Sequence, residues 1–225
     1  MSEANETCSE GIDGGIGDRQ YYEKWYMDRD WRFYRYILAQ VVERSLPGPI
    51  LDLGAGVGYF LECADRWGLE CSGVDGSAAA VEIGCARQPR LKLRHHVLSR
   101  PLPFADGTFQ TVVMNQVIEH LEPAVGRTAV GEAFRVLRPG GMLLITSPSL
   151  YNKNERTADP THINMLAPST LAAMLRAAGF TTIERFDEPL PLFGSQRLGH
   201  QVLGRLMRVV DWDWLSASAN ARAYK

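Results

Sequence analysis

No stretch of the 225-residue chain approaches the roughly 18 consecutive apolar residues of a membrane-spanning helix, so no membrane association is expected. Basic runs are also missing. No Lys/Arg block reaches about five, and the formal net charge is −2, so the electrostatic footprint of a nucleic-acid binder is absent. Cysteine is scarce. Cys8, Cys63, Cys71 and Cys85 form no C-x-x-C pair and no regular framework. The segment Met1 to Asp18 is acidic, Gly-rich and polar, and it lacks the basic and apolar regions of a signal peptide. Together these absences predict a cytoplasmic protein with reduced thiols; a monomer or homodimer is expected, with a small-molecule substrate and no nucleic-acid partner.

What is present is ordinary globular composition, 45% hydrophobic and 22% charged, of a size for one large domain. Residues 1–17 offer almost nothing to bury and are expected to be disordered. Residues 18–47 change character, with eight aromatics within sixteen positions from Tyr21 to Tyr36. Spacings of three and four, as in Tyr22, Trp25 and Tyr26, predict one or two amphipathic helices. They either pack on the main domain or form a lid over a pocket. Pro47-Gly48-Pro49 ends them, and residues 48–225 form the main domain.

Strands and helices then alternate. Strands are expected at Pro49–Leu53, Cys71–Val74, Leu91–Val97, Phe109–Gln116, Met142–Thr146 and Thr181–Phe186, with a last one within Ser216–Tyr224. Helices are expected at Tyr59–Trp67, Ala78–Ala86, Ala124–Leu137, Pro168–Ala178 and Gln196–Val210. The pattern predicts an α/β fold, a doubly wound and mostly parallel sheet. Ligands of such sheets sit beyond the carboxyl ends of the strands.

The stretch Ile50-Leu51-Asp52-Leu53-Gly54-Ala55-Gly56-Val57-Gly58 is an apolar strand running into a glycine turn. Glycine accepts positive φ and lets a ligand approach the main chain. A dinucleotide fingerprint would place its third glycine one position later, at Tyr59. Asp52 would repel a pyrophosphate but attract an ammonium group. Asp75, 23 residues further on, ends the second strand where a carboxylate can accept both hydroxyls of a ribose. S-adenosylmethionine (SAM) has an ammonium group, a sulfonium and a ribose diol.

These motifs continue in order: Gly73-Val74-Asp75-Gly76-Ser77, Leu102-Pro103-Phe104-Ala105-Asp106-Gly107-Thr108-Phe109, Val117-Ile118-Glu119-His120-Leu121 and Arg135-Val136-Leu137-Arg138-Pro139-Gly140-Gly141. Over about Pro49–Phe180 the chain resembles a class I SAM-dependent methyltransferase of the small-molecule type. The resemblance implies a seven-stranded Rossmann-like sheet whose last strand is antiparallel. It also implies a cofactor site made by Asp52, Gly54, Gly56, Gly58, Asp75, Gly76, Ser77, Leu98 and Asn115. Leu98 stands where many relatives carry an Asp that meets the adenine amino group, leaving that contact to backbone groups or to Ser99.

An oxygen acceptor must lose a proton, so His and carboxylates at strand ends are the candidates. His95, His96 and His200 are expected in structural or solvated roles. Glu119, His120, Asp159 and His162 are the catalytic candidates. Gln116 to His120, with Thr161-His162 and Leu166 to Leu171, resembles the ubiquinone-biosynthesis O-methyltransferases and the small-RNA 2′-O-methyltransferases. Their E-x-x-E-H motif can ligate a divalent cation. Here Gln116 replaces the first Glu, and a neutral amide is a poorer ligand for a hard cation, so a metal-free base is preferred. The expected reaction is methyl transfer to a phenol, quinol or natural-product hydroxyl. Alternatives are an N-methyltransferase, a non-catalytic SAM-binding subunit and a nicotinamide-dependent reductase, the last disfavoured by the glycine register.

Overall fold

The computed structural model describes residues 19–26, 29–186 and 213–225. The expected disorder of residues 1–17 and the helix over 196–210, with His200, lie outside the described residues.

Seven strands form one sheet: β1 (Ile50–Leu53), β2 (Cys71–Asp75), β3 (Lys92–His95), β4 (Phe109–Asn115), β5 (Leu137–Thr146), β6 (Thr182–Arg185) and β7 (Ala221–Tyr224). Their order is β3-β2-β1-β4-β5-β7-β6, and β7 runs antiparallel to both neighbours. The parallel strands are apolar because both faces are covered. Leu51, Leu53, Val112, Met114, Leu143 and Ile145 pack with α5 (Pro123–Val136) and α7 (Pro168–Ala177) through Ala129, Val130, Ala133, Leu171 and Leu175. Ile50, Val113, Met142 and Leu144 point the other way. They meet α2 (Arg35–Arg44) and α3 (Tyr59–Arg66) through Ile37, Leu38, Val41, Phe60, Cys63 and Ala64. Each such side chain contributes about 1.5–3 kcal/mol on leaving water. Helix α2 thus belongs to one of the two layers that enclose the sheet. Helix α1 (Arg19–Tyr26) packs its tyrosines near α4 (Ala78–Arg87), where Tyr22 meets Val57, Tyr59 and Ala80.

Three local features depart from the expected boundaries. Arg138-Pro139-Gly140-Gly141 does not separate α5 from a strand beginning at Met142. Strand β5 starts at Leu137 and carries the four residues as a bulge, since Phe109 pairs with Leu137 but Thr111 pairs with Met142. Gly140 takes φ +74°, and a Cβ on Gly141 would stand 2.9 Å from the Arg138 carbonyl oxygen. Strand β4 stops one residue early because Gln116 turns to φ +56°. A short helix, α6 (Lys153–Ala158), follows β5. Its signal is local: the Asn152 side chain accepts from the Glu155 N–H at 3.4 Å.

The order of strands reverses between β1 and β4. Their carboxyl ends, Leu53 and Asn115, therefore open a crevice that no crossover helix covers. The loops after β1, β2, β4 and β5 all meet there.

Two helix glycines separate propensity from packing. A Cβ at Gly84 would lie 2.7 Å from the Val57 carbonyl oxygen, a backbone atom behind the glycine turn. A Cβ at Gly131 would meet nothing within 4 Å. In denaturant titrations, Gly84→Ala should lose about 1–3 kcal/mol through overpacking. Gly131→Ala should gain up to about 1 kcal/mol from helix propensity. Equal effects at the two sites would refute the close approach of α4 to the turn.

Candidate active site

The glycine turn is held from behind and from the side. The N–H groups of Gly54 and Ala55 donate to the Val74 carbonyl oxygen at 2.9 and 3.0 Å, tying the turn to β2. The Asp75 carboxylate accepts from the Gly56 N–H at 2.7 Å and from the Ser77 N–H at 2.8 Å. The Tyr22 hydroxyl donates to the same carboxylate from α1 at 3.4 Å. Ser77 then caps α4, its hydroxyl accepting from the Ala80 N–H at 3.1 Å. Gly54 sits at φ +75°, where a Cβ would also stand 2.5 Å from a Val117 methyl. Gly58, the third glycine of the turn, stands at the N-cap of α3 at φ +79°, where a Cβ would lie 2.8 Å from Leu91.

Two cavities meet over this turn and share Tyr26, Gly54, Gly56 and Gln116. The smaller, about 360 Å³, is lined by Asp75, Gly76, Ser77, Leu98, Ser99 and His120, with Tyr21 and Tyr22 from α1. The larger, about 600 Å³, is lined by Asp52, Ala55, Asn115, Thr146, Ser147 and Asn220. Arg29, Phe33, Tyr34, Tyr36 and Phe60 complete its aromatic wall. Burial raises the Asp52 carboxyl well above the ordinary carboxylate range, and the neighbouring charge of Asp75 adds to this. Burial likewise raises Asp75, against its hydrogen bonds from Ser77, Gly56 and Tyr22. A ligand bringing a cation to Asp52 and hydroxyl donors to Asp75 would relieve both costs. The amino-acid and ribose groups of SAM fit this pair of cavities on that ground.

The four expected catalytic residues lie together, but at different depths. Ile118–His120 forms a single 3-10 turn after β4, which places His120 on the smaller cavity and turns Glu119 inward. The His120 and His162 rings lie 4.8 Å apart between centroids. His120 Nδ1 lies 3.1 Å from the Thr161 hydroxyl and 3.3 Å from its carbonyl oxygen. A carbonyl only accepts, so Nδ1 carries the proton and Nε2 keeps its lone pair. The Thr161 hydroxyl donates onward to Asp159, whose carboxylate also accepts the Thr161 N–H at 2.9 Å. Burial would raise the Asp159 carboxyl, but these two bonds from Thr161 hold it below the ordinary range. Burial, with His162 alongside, lowers His120 to about 4.

Glu119 is 0% exposed, and among the described residues neither carboxylate oxygen has a hydrogen-bond partner. Burial pushes its carboxyl up to about 8. Among the described residues, Glu119, His120 and His162 can each offer a ligand atom, all within 4.8 Å of one another. One carboxylate and two imidazoles suit a divalent transition metal. The orphaned oxygens of Glu119 fit such a use, or a protonated acid.

Sequence reasoning passed over Arg29, weighed Gln116 only as a poor metal ligand and named Thr161 only as the neighbour of His162. Gln116 had one available signal, its place between β4 and the Glu119-His120 pair. Its left-handed backbone, in contact with both cavities, could not be read from residue type. Thr161 is two residues from Asp159 and next to His162, but its reach to His120 exists only in three dimensions. His95 and His96 bond to backbone carbonyls of Gly76 and Arg100 in exposed positions away from this cluster.

A family described as a methyltransferase domain matches residues 26–185 of this chain. A probable S-adenosylmethionine-dependent methyltransferase of Mycolicibacterium smegmatis is 31% identical over 169 residues, covering 74% of this chain and 62% of that protein. A demethylmenaquinone methyltransferase of Beutenbergia cavernae is 37% identical over 120 residues, covering 53% and 47%. The chain therefore spans about half to three fifths of these relatives' length. In structure it is similar to a SAM-dependent methyltransferase from Archaeoglobus fulgidus. The TM-score is 0.67 at 21% identity, over 92% of this chain and 98% of that one. No helix among the described residues is long and apolar enough to cross a membrane.

The raised pKa of Glu119 has a definite sign in stability. Between the unfolded value of 4.5 and the folded value of about 8, the folded state holds a proton that the unfolded chain releases. Stability therefore falls as pH rises through that window. With chelator present, the stability of the wild type relative to Glu119→Gln should decline from pH 5 to pH 8 and then level off. A difference that stays flat across this range would contradict a neutral buried Glu119.

Proposed function

The chain belongs to the class I SAM-dependent methyltransferases, and on that premise we propose that it methylates an oxygen of a small organic acceptor. The acceptor class is a phenol, quinol or natural-product hydroxyl. The observation that carries the reading is His120, a neutral imidazole on the wall of the cavity that also holds Asp75.

SAM, when bound, supplies a methyl group already activated on a sulfonium. What remains for the protein is to orient the acceptor, exclude water and take up its proton. Asp75 accepts the ribose hydroxyls. Asp52 and the backbone at Gly54 and Asn115 face the amino-acid end. Leu98 and Ser99 border the adenine. Tyr21, Tyr22 and Tyr26 act as the lid that closes the cavity from α1, and Phe33, Tyr34 and Tyr36 offer ring faces to a planar acceptor. His120 receives the acceptor's proton at Nε2. Asp159 orients it through Thr161, while Glu119 and His162 stand behind the ring. The name of the Beutenbergia relative gives a quinone-derived acceptor for that protein, methylated at a ring carbon, so it bears on the aromatic wall here and not on the choice of oxygen.

A second reading follows from the orphaned Glu119 carboxylate. Glu119, His120 and His162 would hold a divalent cation, which would supply Lewis acidity toward the acceptor oxygen. An amine acceptor is the rival that needs least help from His120.

Asp75→Ala should weaken binding of S-adenosylhomocysteine by about 10–100-fold in isothermal titration, the scale of a lost charge-assisted hydrogen bond. His120→Ala should leave that affinity in place while lowering turnover of a hydroxyl acceptor by about 100–10,000-fold. A panel of phenols, quinols, sugars and amines, read as a gain of one methyl by mass, identifies the acceptor. Full turnover in His120→Ala would point to an amine. Loss of turnover on chelation, restored by one added metal, would favour the cation.

A further inference from the structure

Helix α2 carries apolar side chains on two faces. Ile37, Leu38 and Val41 turn inward to the sheet layer. On the outer side Arg35, Ala39 and Val42 recur at spacings of four and three, so they share a second face. Leu46 continues that line just past the helix. Val42 is 55% exposed, Leu46 69%, and Trp67, at the end of α3, 62%. Arg32, Arg35, Ala39, Val42, Glu43 and Trp67 line a groove of about 460 Å³ that shares only Tyr36 with the larger cavity of the candidate active site. Exposed apolar side chains gathered along one groove mark a contact surface rather than ordinary solvent-facing scatter.

The charges on this face are set against their own helix. Arg35 begins α2, no acid stands in its first turn, and Glu43 stands in its last. A helix macrodipole favours the reverse order. Arg44, the basic residue of the last turn, lies instead toward Arg222 of β7. Among the described residues neither Arg35 nor Glu43 has an ion-pair partner within 4 Å. The positions are also symmetric about Ala39. Arg35 and Glu43 lie four residues to either side of it, Tyr36 and Val42 three, and Arg32 and Leu46 seven. A two-fold axis through Ala39, with a second α2 running antiparallel, sets Arg35 on the partner's Glu43 and Tyr36 on the partner's Val42. It also brings each charge beside the favourable end of the other helix. Ala39 is the smallest side chain of α2, so the two backbones can come close where they cross. We propose that this face is a two-fold dimer interface whose occupant is a second copy of the chain. A partner of another kind has no need of charges and apolar groups matched in spacing about one residue. The Arg32 head group is already neutralised by Asp30, and its apolar stem can lie on the partner's Leu46. Trp67 walls the groove in which the other α2 rests, a side chain of the type that dominates binding energy at interfaces. One helix face with a tryptophan wall is a small interface, so a dimer of micromolar affinity is expected.

Sedimentation equilibrium of the full chain, from low to high micromolar concentration and at low and high salt, tests this. The wild type should dimerise, and salt should weaken the dimer because its ion pairs lie at an exposed rim. Arg35→Glu and Glu43→Arg should each weaken it about 10-fold, since either one turns two attractive pairs into two repulsive ones. Combined, they rebuild the pairs in reverse, and the doubly substituted chain should regain most of the wild-type affinity. Each reversal also agrees with the dipole of its own helix, so both variants should fold, which circular dichroism checks. Ala39→Arg sets two guanidinium groups across the axis and should abolish the dimer. A wild type that stays monomeric throughout overturns the proposal. A dimer indifferent to the single reversals or to Ala39→Arg overturns it as well, by moving the contact to another face. Weakening by both reversals with no recovery in the combination overturns the antiparallel register.

Discussion

One buried carboxylate joins the parts of this site. Asp75 ends β2 and spends its oxygens on the N–H groups of Gly56 and Ser77. The first bond pins the glycine turn after β1. The second sets the start of α4, whose Gly84 packs against the backbone of Val57 in that turn. Backbone N–H groups left unpaired in a buried turn are expensive, and a carboxylate is the acceptor that can satisfy two of them. The cost reappears as desolvation, which pushes the Asp75 carboxyl above its ordinary range. Further hydroxyl donors arriving at this group would complete what the protein leaves incomplete.

The rest of the site follows from topology. Reversal of strand order between β1 and β4 opens the crevice, and the carboxyl ends of the parallel strands aim their loops into it. The hydrophobic layers on either face keep the strands rigid, so polar groups at their ends are held rather than solvated. Glu119, fully buried with no hydrogen-bond partner among the described residues, is the extreme case. A core this apolar tolerates such a group only when it is neutral or awaits a partner.

Much of this was legible in sequence. Apolar β-branched runs and their spacing located the strands, because burial on both faces leaves no room for polar alternation. The glycine register and the two acids at strand ends pointed to the ligand class for reasons of charge and backbone access. Elsewhere local reading fell short. Pro139-Gly140-Gly141 reads as a turn, yet a bulge absorbs it within β5, because Leu137 still finds Phe109 across the ladder. Gly58 shares the spacing of its two neighbouring glycines, and its place at the N-cap of α3 against Leu91 emerges only in three dimensions. The aromatic segment reads as one unit, whereas α2 packs on the sheet and α1 brings its tyrosines to the cavity.

What the sequence determined by itself was the doubly wound sheet, the glycine turn and the placement of Asp52 and Asp75 at strand ends. Those depend on periodicity, on local backbone preference and on short-range spacing, all written in consecutive residues. Only the tertiary structure decided which side chains share the crevice. His120 meets Thr161 across 41 positions, and Tyr22 meets Asp75 across 53. Arg29 faces a cavity whose other walls come from β1, β4 and β5. Such contacts are set by how loops from separate strand ends pack over one another, and no local pattern encodes that packing.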